Sequence, residues 1–271
     1  MKTPSAVSRR GFLRCAVVSS AAFFLAGCRR EENEDAGNYY LRRKEEILNQ
    51  ARSSMSSVLS VLSGREGDVL ARAITDETLF RFDRLLPDLP YIGGDRNELT
   101  GNLCQGALGM VFYQTMKERR RSAEVSGEML YRAAEQWARS MPLSRFGARS
   151  ADSEAAHQAR RRSAERSQLR RYPADWVSTY VPGEDPSFDW GTDYSECGLC
   201  KLFTAHGTEE FTRYLCLLDF PFSQVMGTGL RRTTTLALGG ARCDFRYAPG
   251  GDIRMEWTPA FLVRQAEEDQ P

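Results

Sequence analysis

The spacing of apolar residues changes near Pro173, and this change constrains the fold more than any other feature of the chain. Before it, apolar residues recur every three to four positions, as in helices with one buried face. After it, they tend to alternate, as in strands. The predicted helices are about Tyr40–Leu62, Val69–Leu86, Leu99–Lys117 and Val125–Met141. The pattern predicts an α+β fold: an N-terminal helical part, then antiparallel β-hairpins with two helices between them.

The alternating region contains two predicted hairpins. The first joins Trp176–Val181 to Phe188–Tyr194 across a turn rich in proline. The second joins Thr233–Leu238 to Arg242–Ala248 around a Gly-Gly pair. A further strand is expected at Ile253–Trp257.

Two helices are predicted between the hairpins. The first follows Cys197 and ends at Gly207. The second begins after Thr208, whose hydroxyl is placed to cap it, and continues toward Met226. Upstream, Gly64 and Gly67 are expected to end the first long helix.

We interpret residues 41–258 as one domain. Residues 29–40 are polar and charged and are expected to form a tether, and the acidic residues 259–271 are expected to fray. Residues 145–171 are rich in arginine and read as an insertion, either a solvated helix or a mobile segment, with His157 at the surface.

The first 28 residues have the pattern of an export signal. Residues 8–14 read SRRGFLR, which resembles a twin-arginine signal, and the apolar run Cys15–Leu25 is too short to span a bilayer. LAGC, ending at Cys28, resembles a lipobox, in which the cysteine is lipidated. We therefore expect the twin-arginine machinery to export the chain, and a lipid to anchor it on the periplasmic side of a bacterial membrane. A formal net charge of +1 argues against nucleic-acid binding.

The cysteine count leaves an odd thiol. Of seven cysteines, Cys15 and Cys28 fall in the signal. The remaining five are Cys104, Cys197, Cys200, Cys216 and Cys243, and five cannot all pair within one chain. Cys104 lies in an apolar helix and is expected to pack there.

Several interpretations of the other four cysteines remain open. They could bind zinc or another thiolate-bound metal, although only one C-x-x-C pair is present. They could form a redox pair, a disulfide or a buried apolar cluster. One could be a nucleophile: Cys197 lies at a strand-to-helix junction beside Glu196, and Cys243 follows the Gly-Gly turn beside Asp244.

Three segments resemble the C-terminal half of the L-2-amino-thiazoline-4-carboxylic acid hydrolase family. They are ECGLCKLF (196–203), YLCLLDF (214–220) and LRRTTTLALGGARCDFRY (230–247). The resemblance implies ring-opening hydrolysis of a cyclic amidine toward N-carbamoyl-L-cysteine. It implies catalytic roles for Glu196, Cys197, Cys216, Asp219 and Cys243, and substrate-binding roles for Arg232, Thr233 and Asp244.

The chemistry of such a reaction assigns tasks to these residues. A carboxylate would activate water or hold the amidinium, and an arginine fork, from Arg232 or Arg231, would hold the substrate carboxylate. Asp219 follows Cys216 by three positions, so both are expected to face one pocket, which Cys197 and Cys243 would share.

The alternative function is a membrane-anchored lipoprotein that binds a small molecule or a metal without turnover. The pattern is also similar to small-molecule-binding domains of the 4-vinyl reductase type.

Overall fold

A computed structural model describes residues 36–140, 152–183 and 187–268, with side chains from Tyr39 onward. The signal, the lipobox and most of the predicted tether lie outside these residues. The helices are α1 (Ala36–Arg42), α2 (Lys44–Glu66), α3 (Asp68–Leu85), α4 (Thr100–Glu118), α5 (Ala123–Arg139), α6 (Glu154–Ser167), α7 (Gly198–Ala205), α8 (Glu209–Cys216), α9 (Asp219–Met226) and α10 (Ala260–Glu268). Within the described ranges, no helix is both long enough and apolar enough to cross a membrane.

The four predicted N-terminal helices are confirmed. α2 and α3 each bury one face, as their periodicity predicts, whereas α4 is buried around most of its circumference. Gly64 lies inside α2, so the prediction that it ends the helix was wrong; Gly67, with φ of 81°, ends it. Ser122 caps α5 by accepting a hydrogen bond from the amide of Val125.

The sheet contains four antiparallel strands in the order β1-β2-β4-β3. They are β1 (Val177–Pro182), β2 (Trp190–Glu196), β3 (Leu230–Arg231) and β4 (Cys243–Tyr247). The first predicted hairpin is confirmed as β1 and β2. The α+β class, with helices preceding strands, is confirmed too.

The second predicted hairpin was wrong in its first arm. The partner of β4 is the two-residue strand β3, whereas residues 233–238 form a loop that ends in a short 3₁₀ helix. The Asp244 side chain accepts hydrogen bonds from the amides of Thr233 and Thr234, which holds this loop out of the sheet. The strand predicted at Ile253–Trp257 reduces to one bridge between Arg254 and Arg231.

Three helix predictions also need correction. The Thr208 hydroxyl donates back to the carbonyl of Phe203, at 3.3 Å, and does not cap α8. The predicted single helix toward Met226 is broken after Cys216, and α9 begins at Asp219. The acidic tail forms α10, because Phe261 is buried in the core.

Two segments are more ordered than the sequence indicates in the parts that the structure describes, residues 36–40 and 152–171; residues 145–151 of the arginine-rich segment lie outside the described residues. α1 begins at Ala36, inside the segment interpreted as a tether, and Tyr40 is fully buried. α6 lies in the arginine-rich segment and packs on β1. His157 on α6 was predicted at the surface, but its side chain is only 14% exposed and its ring hydrogen-bonds the Tyr180 hydroxyl.

Candidate functional site

The site is built on one face of the sheet. Because side chains alternate along a strand, Trp190 and Tyr194 of β2 share a face with Cys243 and Tyr247 of β4. Trp190 lies opposite Tyr247, and their rings stack with centroids 3.9 Å apart. Tyr194 lies opposite Cys243. Four residues separate the two pairs, so these ends of the face are about 13 Å apart.

One end carries the thiols, which we call the thiol end: Cys197, Cys200, Cys216 and Cys243. Cys197 occupies the N-cap position of α7. Its sulfur accepts a hydrogen bond from the Cys200 thiol and others from the amides of Cys200 and Leu199 and the Trp176 side chain. These donors outweigh burial and lower the pKa of Cys197 to about 7. Cys197 therefore has substantial thiolate character near neutral pH.

The other three thiols are less acidic. The pKa of Cys200 is raised because its proton is donated to Cys197, and burial raises the pKa of Cys216 well above its usual value. Burial also raises the pKa of Cys243 to about 11, although its sulfur accepts the amide of Leu236 at 3.2 Å. The four groups influence one another electrostatically, which agrees with the predicted cluster.

The thiol end does not have the geometry of a metal centre. All five described cysteines are free, and the described residues contain no group of three or more Cys, His, Asp or Glu side chains that could hold a metal ion. The described residues therefore give no geometric support for the metal role considered for the four thiols. Cys104 is buried in the core of α4, as predicted.

Asp219 and Arg232 form an ion pair between the two ends. Arg232 is fully buried, between the rings of Phe220 and Phe245. Its Nη1 donates to Oδ2 of Asp219 at 2.8 Å, and its fork binds both carboxylate oxygens of Glu256, each at 3.0 Å. Arg232 was predicted to hold a substrate carboxylate, but its side chain has no exposed surface and its donors bind protein acceptors. Its guanidinium thus fixes Oδ2 of Asp219.

Asp219 lies at the wall of a cavity of about 400 Å³. This cavity is bounded by α2, α4 and α5 on one side and by α9, β3, Trp190 and Tyr247 on the other. The Asp219 side chain is 46% exposed. Because Asp219 lines the cavity, we take this exposed surface to face the cavity. Removal from bulk water raises the pKa of Asp219, and Arg232 opposes that rise. Among the described residues, Oδ1 has no hydrogen-bond partner.

Cys216 does not accompany Asp219 into this cavity. The sequence predicts both on one helical face, but α8 ends at Cys216 and α9 begins at Asp219. Cys216 instead presents its carbonyl oxygen to Nη2 of Arg232, at 2.9 Å. Cys197 and Cys243 do not line the cavity either.

Three other predicted site residues have side chains that bind other groups of the protein. Glu196 binds Lys201 and Arg170, whose hydrogen bonds lower the pKa of its carboxyl. Asp244 was predicted to bind substrate, but strand alternation directs it to the opposite face from Cys243. Burial alone would raise the pKa of Asp244. The Thr233 hydroxyl and the loop amides donate hydrogen bonds to its carboxylate, and these bonds lower the pKa below its usual value. Thr233 is occupied by the same contact.

Sequence reasoning missed Glu256, Trp190, Tyr194 and Tyr247. Glu256 lies in a segment read as a strand, and nothing local indicates that its carboxylate reaches a buried arginine 24 residues away. The aromatic residues carried a usable signal, because they lie an even number of positions apart in the β2 and β4 segments, a spacing that places strand residues on one face. Burial raises the pKa of both tyrosines, so their phenols stay protonated at neutral pH.

The fold and the site together define an α+β protein with a carboxylate at the wall of a cavity and a thiol cluster beside it. The family model described as L-2-amino-thiazoline-4-carboxylic acid hydrolase matches residues 102–247, more than half of the chain, and the chain belongs to this family. The match contains most of α4, all of α5, both ends of the sheet face and the Asp219–Arg232 pair. Comparison with curated proteins and with solved structures finds no match.

Proposed function

We propose that this protein is a hydrolase that opens a cyclic amidine such as L-2-amino-thiazoline-4-carboxylate toward N-carbamoyl-L-cysteine. The family supports hydrolysis. The observation that carries the proposal is Asp219: one carboxylate oxygen is fixed by a buried arginine, and the side chain lines a cavity large enough for a small molecule.

The proposed step adds water to the amidine carbon. Oδ1 of Asp219 accepts the proton of the attacking water, and the water oxygen bonds to the ring carbon between nitrogen and sulfur. The reacting form is the amidinium, whose nitrogens already carry the protons that they keep in the urea. As the carbon–sulfur bond breaks, the added hydroxyl loses its proton to solvent and the carbon becomes the carbonyl of a urea. The sulfur leaves as a thiolate and takes up the proton held by Asp219, which restores the carboxylate. A carboxyl with a raised pKa accepts this proton more readily than an ordinary aspartate.

Cys197 is assigned a supporting role. It is the most acidic thiol of the cluster, but it does not line the cavity where Asp219 lies. We therefore propose that its thiolate contributes to the electrostatic environment of the site and does not attack the substrate.

The test is turnover by the purified full chain in detergent. Incubation with L-2-amino-thiazoline-4-carboxylate should yield N-carbamoyl-L-cysteine, measured by mass spectrometry. Asp219→Asn should abolish the product, whereas Asp193→Asn, which removes a carboxylate held by Arg242 and Arg246 on the opposite face of the sheet, should retain it. If Cys197→Ser loses the product and Asp219→Asn retains it, the nucleophile is at the thiol end and the assignment to Asp219 is wrong.

A ligand-binding role without turnover is the second candidate. The cavity is mostly apolar, which favours binding of a small molecule whether or not it is hydrolysed. Saturable binding of amidines by folded protein with no product would establish this role and reject the hydrolase.

We also propose export and lipid anchoring on the periplasmic side, from SRRGFLR and Cys28. In bacterial cells fed a labelled fatty acid, the full chain should take up label and fractionate with membranes. Cys28→Ala should remove the label, and Arg9→Lys with Arg10→Lys should leave the chain in the cytoplasm. A labelled Cys28→Ala protein would contradict the anchor.

A further inference from the structure

The cavity is larger and less polar than a thiazoline carboxylate requires. Its volume, about 400 Å³, falls within the range of sites for drug-sized ligands. The side of the cavity formed by α2, α4 and α5 is lined by apolar side chains: Met55, Val58, Phe112, Leu130 and Trp137. A single five-membered ring bound at Asp219 would leave this wall uncovered.

The charge of the lining is more selective than its size. Asp219 is its only charged residue, and the described chain places no lysine, arginine or histidine there. Arg232 lies behind Asp219 with its side chain fully enclosed. Among the described lining residues, a ligand carboxylate would find no cation and would face the Asp219 carboxylate, which disfavours binding.

A cationic amidine head satisfies Asp219 without this conflict. An amidinium presents N–H donors, and Oδ1 of Asp219 is an acceptor on the cavity side. The polar side chains that remain in the lining are neutral, among them Gln105, Ser223 and Thr228. The cavity thus combines one anionic end with an extended apolar wall.

We infer that the preferred substrate is a cyclic amidine that carries an apolar substituent in place of the carboxylate. The amidine head binds Asp219, and the substituent lies against Met55, Phe112 and Trp137. This inference rests on the proposed function for the reaction, but the shape and charge of the cavity determine the class of ligand.

The test compares three probes: 2-amino-2-thiazoline, its 4-phenyl derivative and its 4-carboxylate. Calorimetry on the purified full chain should show the phenyl compound binding about tenfold or more tightly than the parent, because the ring is buried against the apolar wall. The carboxylate should bind more weakly than the parent. Asp219→Asn should weaken binding of both cations, and the matched Asp193→Asn should not.

A second variant keeps the test independent of Asp219. Ala134→Leu narrows the cavity on the α5 side and should reduce affinity for the phenyl compound more than for the parent; Ser57→Leu on α2 provides the same test if the first variant does not fold. Thermal unfolding verifies the fold of each.

The outcomes separate the two proposals. The order phenyl, parent, carboxylate supports the inference. A carboxylate that binds as well as the parent, or a phenyl compound that binds no better, overturns it, even if the carboxylate is hydrolysed and the proposed function stands. Binding in the expected order without turnover rejects the hydrolase and keeps the ligand class.

Discussion

The two ends of the sheet face carry different chemistry, although the same two strands build both. At the thiol end, a reactive sulfur is enclosed by its own donors: two amides, a thiol and the Trp176 side chain. At the cavity end, one carboxylate borders open volume. The comparison teaches that an activated group does not by itself mark a substrate site; space beside the group is needed as well.

The largest expected effect is the loss of stability on replacing Arg232, which lies between the two ends. Arg232→Met leaves Asp219 and the buried Glu256 without their guanidinium, which should lower the free energy of unfolding by about 3–5 kcal/mol. Urea unfolding followed by tryptophan fluorescence measures it. The exposed neighbour is the control: Arg231→Met removes bonds to two carbonyl groups and should cost about 1 kcal/mol or less. Equal losses would mean that Arg232 does not hold the two ends together.

The second largest expected effect is on catalysis, and it distinguishes the cavity end from the thiol end. Asp219→Asn should lower kcat/KM for a cyclic amidine by about 100-fold or more, because the variant has no base for water and no charge for the amidinium. Steady-state kinetics by mass spectrometry check this. Cys197→Ser should lower it far less. The reverse order would place catalysis at the thiol end.

A smaller effect tests the wall of the cavity. Gly127 of α5 lies against α8, and an added Cβ would come within 2.7 Å of the Cβ of Tyr214. Gly127→Ala should therefore cost about 1–3 kcal/mol in unfolding free energy, since neither backbone can give way without moving α5. Gly64→Ala, in a helix with open space around the new methyl group, should instead gain up to about 1 kcal/mol. Thermal and urea unfolding measure both variants. Equal changes in unfolding free energy for the two substitutions would mean that α5 packs loosely against α8.

The smallest effect concerns the thiol end alone. Alkylation of Cys197 by iodoacetamide should rise with pH through about 7, since the thiolate reacts and the thiol does not. Cys200→Ala removes the main donor, so it should raise the pKa of Cys197 and shift the profile to higher pH. Cys200→Ser keeps a donor and should shift it less. Peptide mass spectrometry after timed labelling measures the alkylation rates. An unchanged pH profile in both Cys200 variants would contradict the hydrogen bond from the Cys200 thiol to the Cys197 sulfur.

Much of the fold follows from local pattern. The four N-terminal helices and the β1–β2 hairpin were predictable because a buried face imposes a period of about 3.6 on a helix and 2 on a strand. The errors fall where a side chain from elsewhere intervenes. Thr233–Leu238 has the composition of a strand, yet Asp244 binds its amides and holds it as a loop.

The candidate site was less predictable than the fold. Asp219 and Asp244 both lie close to a cysteine in a family motif, and the resemblance implied a site role for each, catalytic for Asp219 and substrate-binding for Asp244. Packing separates them: one lies beside a cavity, and the other has its oxygens bound to a neighbouring loop. Packing also distinguishes the adjacent arginines Arg231 and Arg232, because only the side chain of Arg232 is fully enclosed.

By itself, the sequence determined the order of most helices and strands, the odd number of thiols and the placement of Cys197 at a helix N-terminus, because these depend on neighbours along the chain. Only the tertiary structure decided which carboxylate borders open volume, which arginine is enclosed and which thiol is acidic. Burial and electrostatic contact depend on residues distant in sequence, as Arg232 and Glu256 show, and no local pattern records where such residues meet.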